Sequence, residues 1–135
     1  MNKVLLDTHL LIWLLTGDVR LSKDIIRIVL NPDNLLFYSI VSLWEAEIKF
    51  IKHSDDIPVS SNELERFCND AGYYKLPLKS CHISRLRDLR RKKEAPPHKD
   101  PFDRMLICQS VHERMLLITH DHLFADYLLS NILVL

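Results

Sequence analysis

"KVLLDTHLLIWLL", Lys3 to Leu15, decides how the rest of the chain is read. A lysine followed by apolar residues could pass for a signal peptide, but Asp7 and His9 stand inside the would-be apolar region and break it. The longest uninterrupted apolar run, Leu10 to Leu15, is six residues, far short of the roughly 18 that suggest a membrane span. The stretch reads instead as a strand over 3–7 leading directly into an apolar helix over 8–15.

The same succession continues outward. An amphipathic helix over 22–30 is followed by the turn "NPDN" and by a buried strand, "LLFYS", over 35–39. "VSLWEAEIKFIK" reads as a helix over 41–52 that buries Val41, Trp44, Ile48 and Ile51. The polar, Pro-containing "HSDDIPVSSN", 53–62, is a loop entering a helix that runs through Asp70. The second half predicts a short strand in "YKLPL", a helix over 80–93 and another in "DPFDRMLICQSVHERM". A strand over 116–119, a short helix near 122–128 and a last strand over 132–135 complete the count.

Strands alternating with helices imply an α/β fold, a mostly parallel sheet of about five strands covered on both faces. A length of 135 residues suits one domain over 1–135, and a hydrophobic fraction of 47% suits an ordinary globular core. The 18 basic and 18 acidic residues cancel, so any attraction for nucleic acid must be local. Cys68, Cys81 and Cys108 lack paired metal-type spacing, and reduced thiols in a soluble, cytoplasmic protein are expected. Gly17 and Gly72 are the only glycines and neither lies in a phosphate-cradling loop, which excludes P-loop and Rossmann nucleotide binding.

In a parallel sheet the ligand crevice lies beyond the carboxyl ends of the strands. Asp7 ends the first strand, Glu45 follows the second, Asp103 opens a helix and Asp121 follows the "LLIT" strand, so all four map to that end. Carboxylates converging there need a cation to offset their repulsion, and a hard divalent ion, Mg²⁺ or Mn²⁺, is the natural occupant. Each acid also has a plainer explanation. Asp7 and Asp121 could cap the helices that follow them, and Ser42-x-x-Glu45 has the form of a capping box, with Lys49 placed for an ion pair. In "PPHKDPFDR", 96–104, Asp100 followed by Pro101 matches an N-cap, and Asp103 can either return to that cap or point into the crevice.

"LLDTHLLIWLL", "SLWEAEIK", "PPHKDPFDRMLICQS" and "LLITHDHLF", in this order, resemble the PIN-domain ribonucleases, and among them the VapC-type toxins of bacterial toxin–antitoxin pairs. Nearly the whole chain is covered. The resemblance implies that Asp7, Glu45, Asp103 and Asp121 hold Mg²⁺ or Mn²⁺ and are catalytic, with Thr119, Ser42 and Asp100 in support and His98 near the crevice without assigned chemistry. It also implies endonucleolytic cleavage of RNA to 5′-phosphate and 3′-hydroxyl ends, a small VapB-like antitoxin as inhibitor, and a homodimer. Trp13 and the first helix could meet that antitoxin or simply pack in the core. Glu47, Cys108 and Ser110 depart from the small or apolar residues more usual in such proteins, without touching the four acids.

An acidic pocket that takes an acidic polymer needs a basic rim. "RLRDLRRKK", 85–93, offers six cations against one acid, and Arg85, Arg90, Arg91, Lys92 and Lys93 are the candidate RNA contacts, the alternative being a solvated helix face. Two rivals place acids similarly. A phosphoaspartate domain is disfavoured because "LDTHL" lacks a second aspartate two residues on, and no lysine ends a late strand. A catalytically silent PIN-like binding module is disfavoured by the presence of all four acids.

Overall fold

A computed structural model describes residues 2–53, 55 and 57–135. Met1, and Ser54 and Asp56 of the expected 53–62 loop, lie outside the described residues. Five strands form one sheet: β1 (Asn2–Leu6), β2 (Asn34–Ser39), β3 (Tyr74–Leu76), β4 (Leu116–Thr119) and β5 (Ile132–Val134). Their order is β3-β2-β1-β4-β5 and every pairing is parallel, from Val4 opposite Leu36 and Leu116 to Ile118 opposite Leu133. The expected α/β architecture is therefore the observed one.

Successive side chains of a strand point to opposite faces, and β1 divides the core accordingly. Val4 and Leu6 pack with the helices α1 (Thr8–Thr16), α2 (Lys23–Leu30) and α4 (Ser61–Asp70) through Leu10, Leu11, Ile25 and Leu64. Leu5, with Leu117 of β4, faces the other way onto Leu106 and Ile107 of α6 (Pro101–His112). The helix α3 (Ile40–Ile51) serves both layers, Leu43 and Ala46 on one side and Val41 on the other. Covering the sheet on both faces satisfies the burial that parallel strands require. No helix among the described residues is long and apolar enough to cross a membrane.

The strand order locates the crevice. From β1 the chain steps outward to β2 and β3, then crosses back so that β4 lies on the other side of β1. The order reverses between β1 and β4, where the connections leaving the two strands diverge and leave an opening. Asp7 and Asp121 stand at that opening, where the Asp7 N–H bond to the Ile118 carbonyl (3.1 Å) ties the end of β1 to β4.

Two sequence expectations are corrected. The first concerns α3, where Trp44 is 57% exposed and Ile51 66% exposed rather than buried. The inward face instead carries Ser42 and Glu45 beside Leu43 and Ala46. Trp44 and Ile51, two helical turns apart, consequently share the outer side with Ile40. The N-cap is Ser39, whose Oγ accepts from the Val41 N–H (3.0 Å), so the Ser42–Glu45 capping box does not form.

The second correction concerns 80–93, which is not one helix. It forms α5 (Ser80–Ser84) and a single 3₁₀ turn, Arg85–Asp88, after which Leu89 is extended. Tertiary pairing outcompetes the helix: the Lys92 N–H donates to the Asp126 carbonyl and the Leu128 N–H to the Arg90 carbonyl. Arg91 anchors the segment, donating to the carbonyls of Leu123 and Pro96 (both 2.7 Å) and stacking over the Tyr127 ring. The expected short helix near 122–128 is present as a 3₁₀ helix, His122–Asp126. β3 stops before Pro77, which has no N–H for a ladder.

Arg91→Ala should lower unfolding free energy by about 2 kcal/mol, since it removes charge-assisted bonds to two carbonyls, whereas Lys93→Ala should stay within about 0.5 kcal/mol. Urea denaturation of the two variants checks this, and equal costs would show that Arg91 does not anchor the segment.

Candidate metal centre

Asp7 begins the site as a backbone necessity. Its Oδ1 accepts from the His9 N–H (2.7 Å) and caps α1. Thr119, the last residue of β4, donates its hydroxyl to Asp7 Oδ2 and accepts from the Asp121 N–H at 3.1 Å. Thr119 therefore joins the two strand ends through one hydroxyl. Asp7 is only 3% exposed, and burial raises its pKa; Glu45 adds to the effect while the Thr119 bond and His9 oppose it.

Glu45 reaches the site from α3 and is 1% exposed. Lys49, one turn on, donates to its Oε2 at 2.8 Å. Its Oε1 is buried with no hydrogen-bond partner among the described residues. Burial works against the charge of Lys49, yet the bond to Glu45 and the fields of Glu45, Asp100 and Asp103 raise its pKa. Ser42 does not touch the acids but accepts from the Thr8 hydroxyl (2.8 Å), tying α3 to α1 beside Asp7.

In α6, Asp100 and Asp103 separate their tasks. Asp100 Oδ1 accepts from the N–H groups of Phe102 and Asp103, with Pro101 at the first helical position, so Asp100 is the cap. Asp103 turns away from that cap and its Oδ2 meets His98 Nε2 at 3.0 Å. Burial pushes the Asp103 carboxyl up to about 6, Asp100, Asp7 and Glu45 contribute, and the His98 bond opposes. Asp121 is exposed, and its Oδ1 caps the 3₁₀ turn by accepting from the Leu123 N–H (2.9 Å). Cap and site are thus compatible for Asp7 and Asp121.

These donors suit a hard divalent cation. Three carboxylates have one oxygen fixed by the protein and leave the other without a donor among the described residues: Glu45 Oε1, Asp103 Oδ1 and Asp121 Oδ2. One of those, Glu45 Oε1, is inaccessible to bulk water and costs free energy unless something positive meets it. Ligand atoms of His98, Asp103 and Asp121 lie within 4.8 Å of one another, a spacing one ion can span. Carboxylate oxygens are the donors that Mg²⁺ and Mn²⁺ prefer.

The basic stretch divides. Arg91, 14% exposed at its side chain, is committed to Leu123, Pro96 and Tyr127. Arg85 donates to His112 Nδ1 at the far end of α6, away from the acids. Arg90, Lys92 and Lys93 are exposed on the segment that runs beside the turn opened by Asp121 and leads on to His98. Trp13 is buried in the core under Arg20 and His120, while the exposed aromatic beside the acids is Trp44, edge-on to Phe102 at 5.0 Å. Glu47 accepts from Ser61, the Ser110 hydroxyl donates to the Ile107 carbonyl, and Cys108 is buried in α6. Sequence reading gave His98 no chemistry and did not single out Tyr127; the signal was the histidine fixed five residues ahead of Asp103.

Three solved structures share this fold. DNA-bound VapBC from Salmonella typhimurium matches with a TM-score of 0.66 at 17% identity, over 99% of this chain and 98% of that chain. VapBC2 from Rickettsia felis, bound to a promoter DNA fragment, matches with a TM-score of 0.64 at 13% identity, over 91% of each chain. A toxin–antitoxin complex from Klebsiella pneumoniae matches with a TM-score of 0.60 at 17% identity, over 97% and 96%. No curated protein matches the sequence significantly. The family model described as the PIN domain matches residues 4–127, a span that holds most of β1, all of β2, β3 and β4, the helices and all four acids and stops short of β5. The chain belongs to the PIN-domain family.

Proposed function

We propose that the chain is an endoribonuclease dependent on Mg²⁺ or Mn²⁺, and the toxin of a VapBC-type toxin–antitoxin pair working on RNA in the cytoplasm. Glu45 Oε1, buried without a hydrogen-bond partner among the described residues and set among acids from four separate stretches of the chain, carries this reading. Lys49, the lysine that faces those acids from α3, is already bound to Glu45 Oε2 and leaves Oε1 unmet. When bound, a divalent cation supplies the Lewis acidity that makes water a nucleophile and offsets charge developing on the phosphate.

The side chains do the positioning. Asp7, Glu45, Asp103 and Asp121 would hold the ion, Thr119 keeps Asp7 and Asp121 in register, and Lys49 fixes the rotamer of Glu45. Asp100 sets the start of α6 and so aims Asp103. No side-chain nucleophile is needed. Arg90, Lys92 and Lys93 are the RNA-backbone contacts, with Arg91 as the framework on which they are displayed. The exposed stripe of Ile40, Trp44 and Ile51, with Phe102 beside it, supports an antitoxin seated next to the acids, as does the likeness to VapBC complexes.

Incubated with total cellular RNA, the antitoxin-free protein should make discrete cuts in Mg²⁺ or Mn²⁺ and none in EDTA. Asp7→Asn, which keeps the helix cap, should cut at least about a hundredfold more slowly, a loss of about 3 kcal/mol of transition-state stabilisation. A folded wild type that binds metal and cuts nothing would point to a silent module.

The raised carboxyls give a stability test. A carboxyl with a higher pKa in the fold than its ordinary 3.8 holds its proton more tightly when folded, so its contribution is present below that value and is lost as pH rises through about 6. In EDTA, thermal melts of wild type should fall relative to Asp103→Asn between about pH 4 and pH 6, and Mn²⁺ at pH 7 should raise the wild type more than the variant. Parallel pH curves would mean Asp103 is not held in a costly site.

Replacing Arg90, Lys92 and Lys93 with glutamine should weaken RNA binding by the catalytically inactive protein and reduce the slope of log affinity against log salt, by about 0.7 per lost single-strand contact. An unchanged slope assigns the phosphate contacts elsewhere.

A further inference from the structure

His98 is 5% exposed and hydrogen-bonded at both ring nitrogens: Nε2 to Asp103 Oδ2 at 3.0 Å and Nδ1 to the Tyr127 hydroxyl at 2.9 Å. With Asp103 and Asp121 it has the spacing of a metal ligand, and ligation would require Nε2 to be bare. The partners of Tyr127 decide otherwise. That hydroxyl is buried; its oxygen accepts from Arg104 Nη1 at 3.4 Å, and the Arg91 guanidinium lies 4.7 Å over the ring. Among the described residues the acceptor available to the Tyr127 proton is His98 Nδ1. Were Nδ1 protonated, the hydroxyl proton would be buried without an acceptor, a cost the other tautomer avoids.

We infer that His98 is a positioning residue: Tyr127 donates to Nδ1, Nε2–H donates to Asp103 Oδ2, and the Asp103 carboxylate is turned so that Oδ1 faces the ion site. This rests on the metal reading proposed above. The chain runs from Arg104 through Tyr127 and His98 to Asp103, and Arg91, stacked on Tyr127 and bonded to Pro96, fixes it from outside. A histidine that holds a ligand by its ring N–H affects affinity without entering the coordination sphere, and losing such a partner typically weakens metal binding by about 10- to 100-fold.

The test is Mn²⁺ titration by calorimetry on wild type, Asp7→Asn, His98→Leu, His98→Gln and Tyr127→Phe, each checked for folding by circular dichroism. His98→Leu should bind at least about tenfold more weakly, and His98→Gln, whose amide N–H can reach the same carboxylate oxygen, should recover most of that loss. Tyr127→Phe, which keeps the ring under Arg91, should weaken binding several-fold. In the wild-type, metal-free protein, long-range ¹H–¹⁵N spectra should show the proton on His98 Nε2. A bare Nε2, direct nitrogen coupling to bound Mn²⁺, or unweakened binding by folded His98→Leu and Tyr127→Phe would overturn the inference. If wild type binds no Mn²⁺, the metal reading itself fails, a result separable from these. Should His98→Leu not fold, Tyr127→Phe and the wild-type spectrum still decide.

Discussion

Burial of neighbouring carboxylates at the switch between β1 and β4 is the constraint on which the rest of the structure depends. Burial raises Asp7 and Asp103, and their neighbours add to the cost. A fold tolerates such a cluster only if every carboxylate is held firmly enough not to relax outward into water. The holding is visible: a backbone amide and Thr119 on Asp7, Lys49 on Glu45, His98 on Asp103, and an amide on Asp121. Except at Asp7, one oxygen is fixed and the other is left over. That division leaves one oxygen each of Glu45, Asp103 and Asp121 without a hydrogen-bond donor among the described residues.

The same economy explains why helix caps and candidate ligands coincide. A residue that ends a strand and starts a helix is at once the natural cap and the nearest side chain to the crevice. Asp7 and Asp121 meet both demands with different oxygens or lone pairs, whereas α6 uses two residues, Asp100 for the cap and Asp103 for the crevice. The residues behind Asp103 are brought there by backbone pairing between two distant segments. The Arg90–Lys92 segment pairs with Asp126–Leu128, bringing Arg91 over Tyr127 and Tyr127 to His98.

Much of this was legible in the sequence. The alternation of strands and helices, the parallel sheet and the crevice end followed from periodicity, because apolar spacing reports burial directly. Asp100 as a cap followed from the proline after it. The misread parts failed for specific reasons. For α3, hydrophobicity suggested burying Trp44 and Ile51, but a helix whose inward face must carry Ser42 and Glu45 has less inward room for large apolar residues. For 80–93, a cation-rich stretch with good helix formers was overridden by backbone pairing to residues 126–128, a contact more than thirty positions away.

By itself the sequence determined the alternation of strands and helices and the order of the four acids, because these depend on local spacing and on side-chain chemistry. Only the tertiary structure decided that Arg91 is held by distant backbone carbonyls, that His98 and Tyr127 stand behind Asp103, and that Glu45 Oε1 has no hydrogen-bond partner among the described residues. Those are properties of hydrogen bonds and burial between residues far apart in sequence, and no local pattern encodes the partner a buried polar group will find.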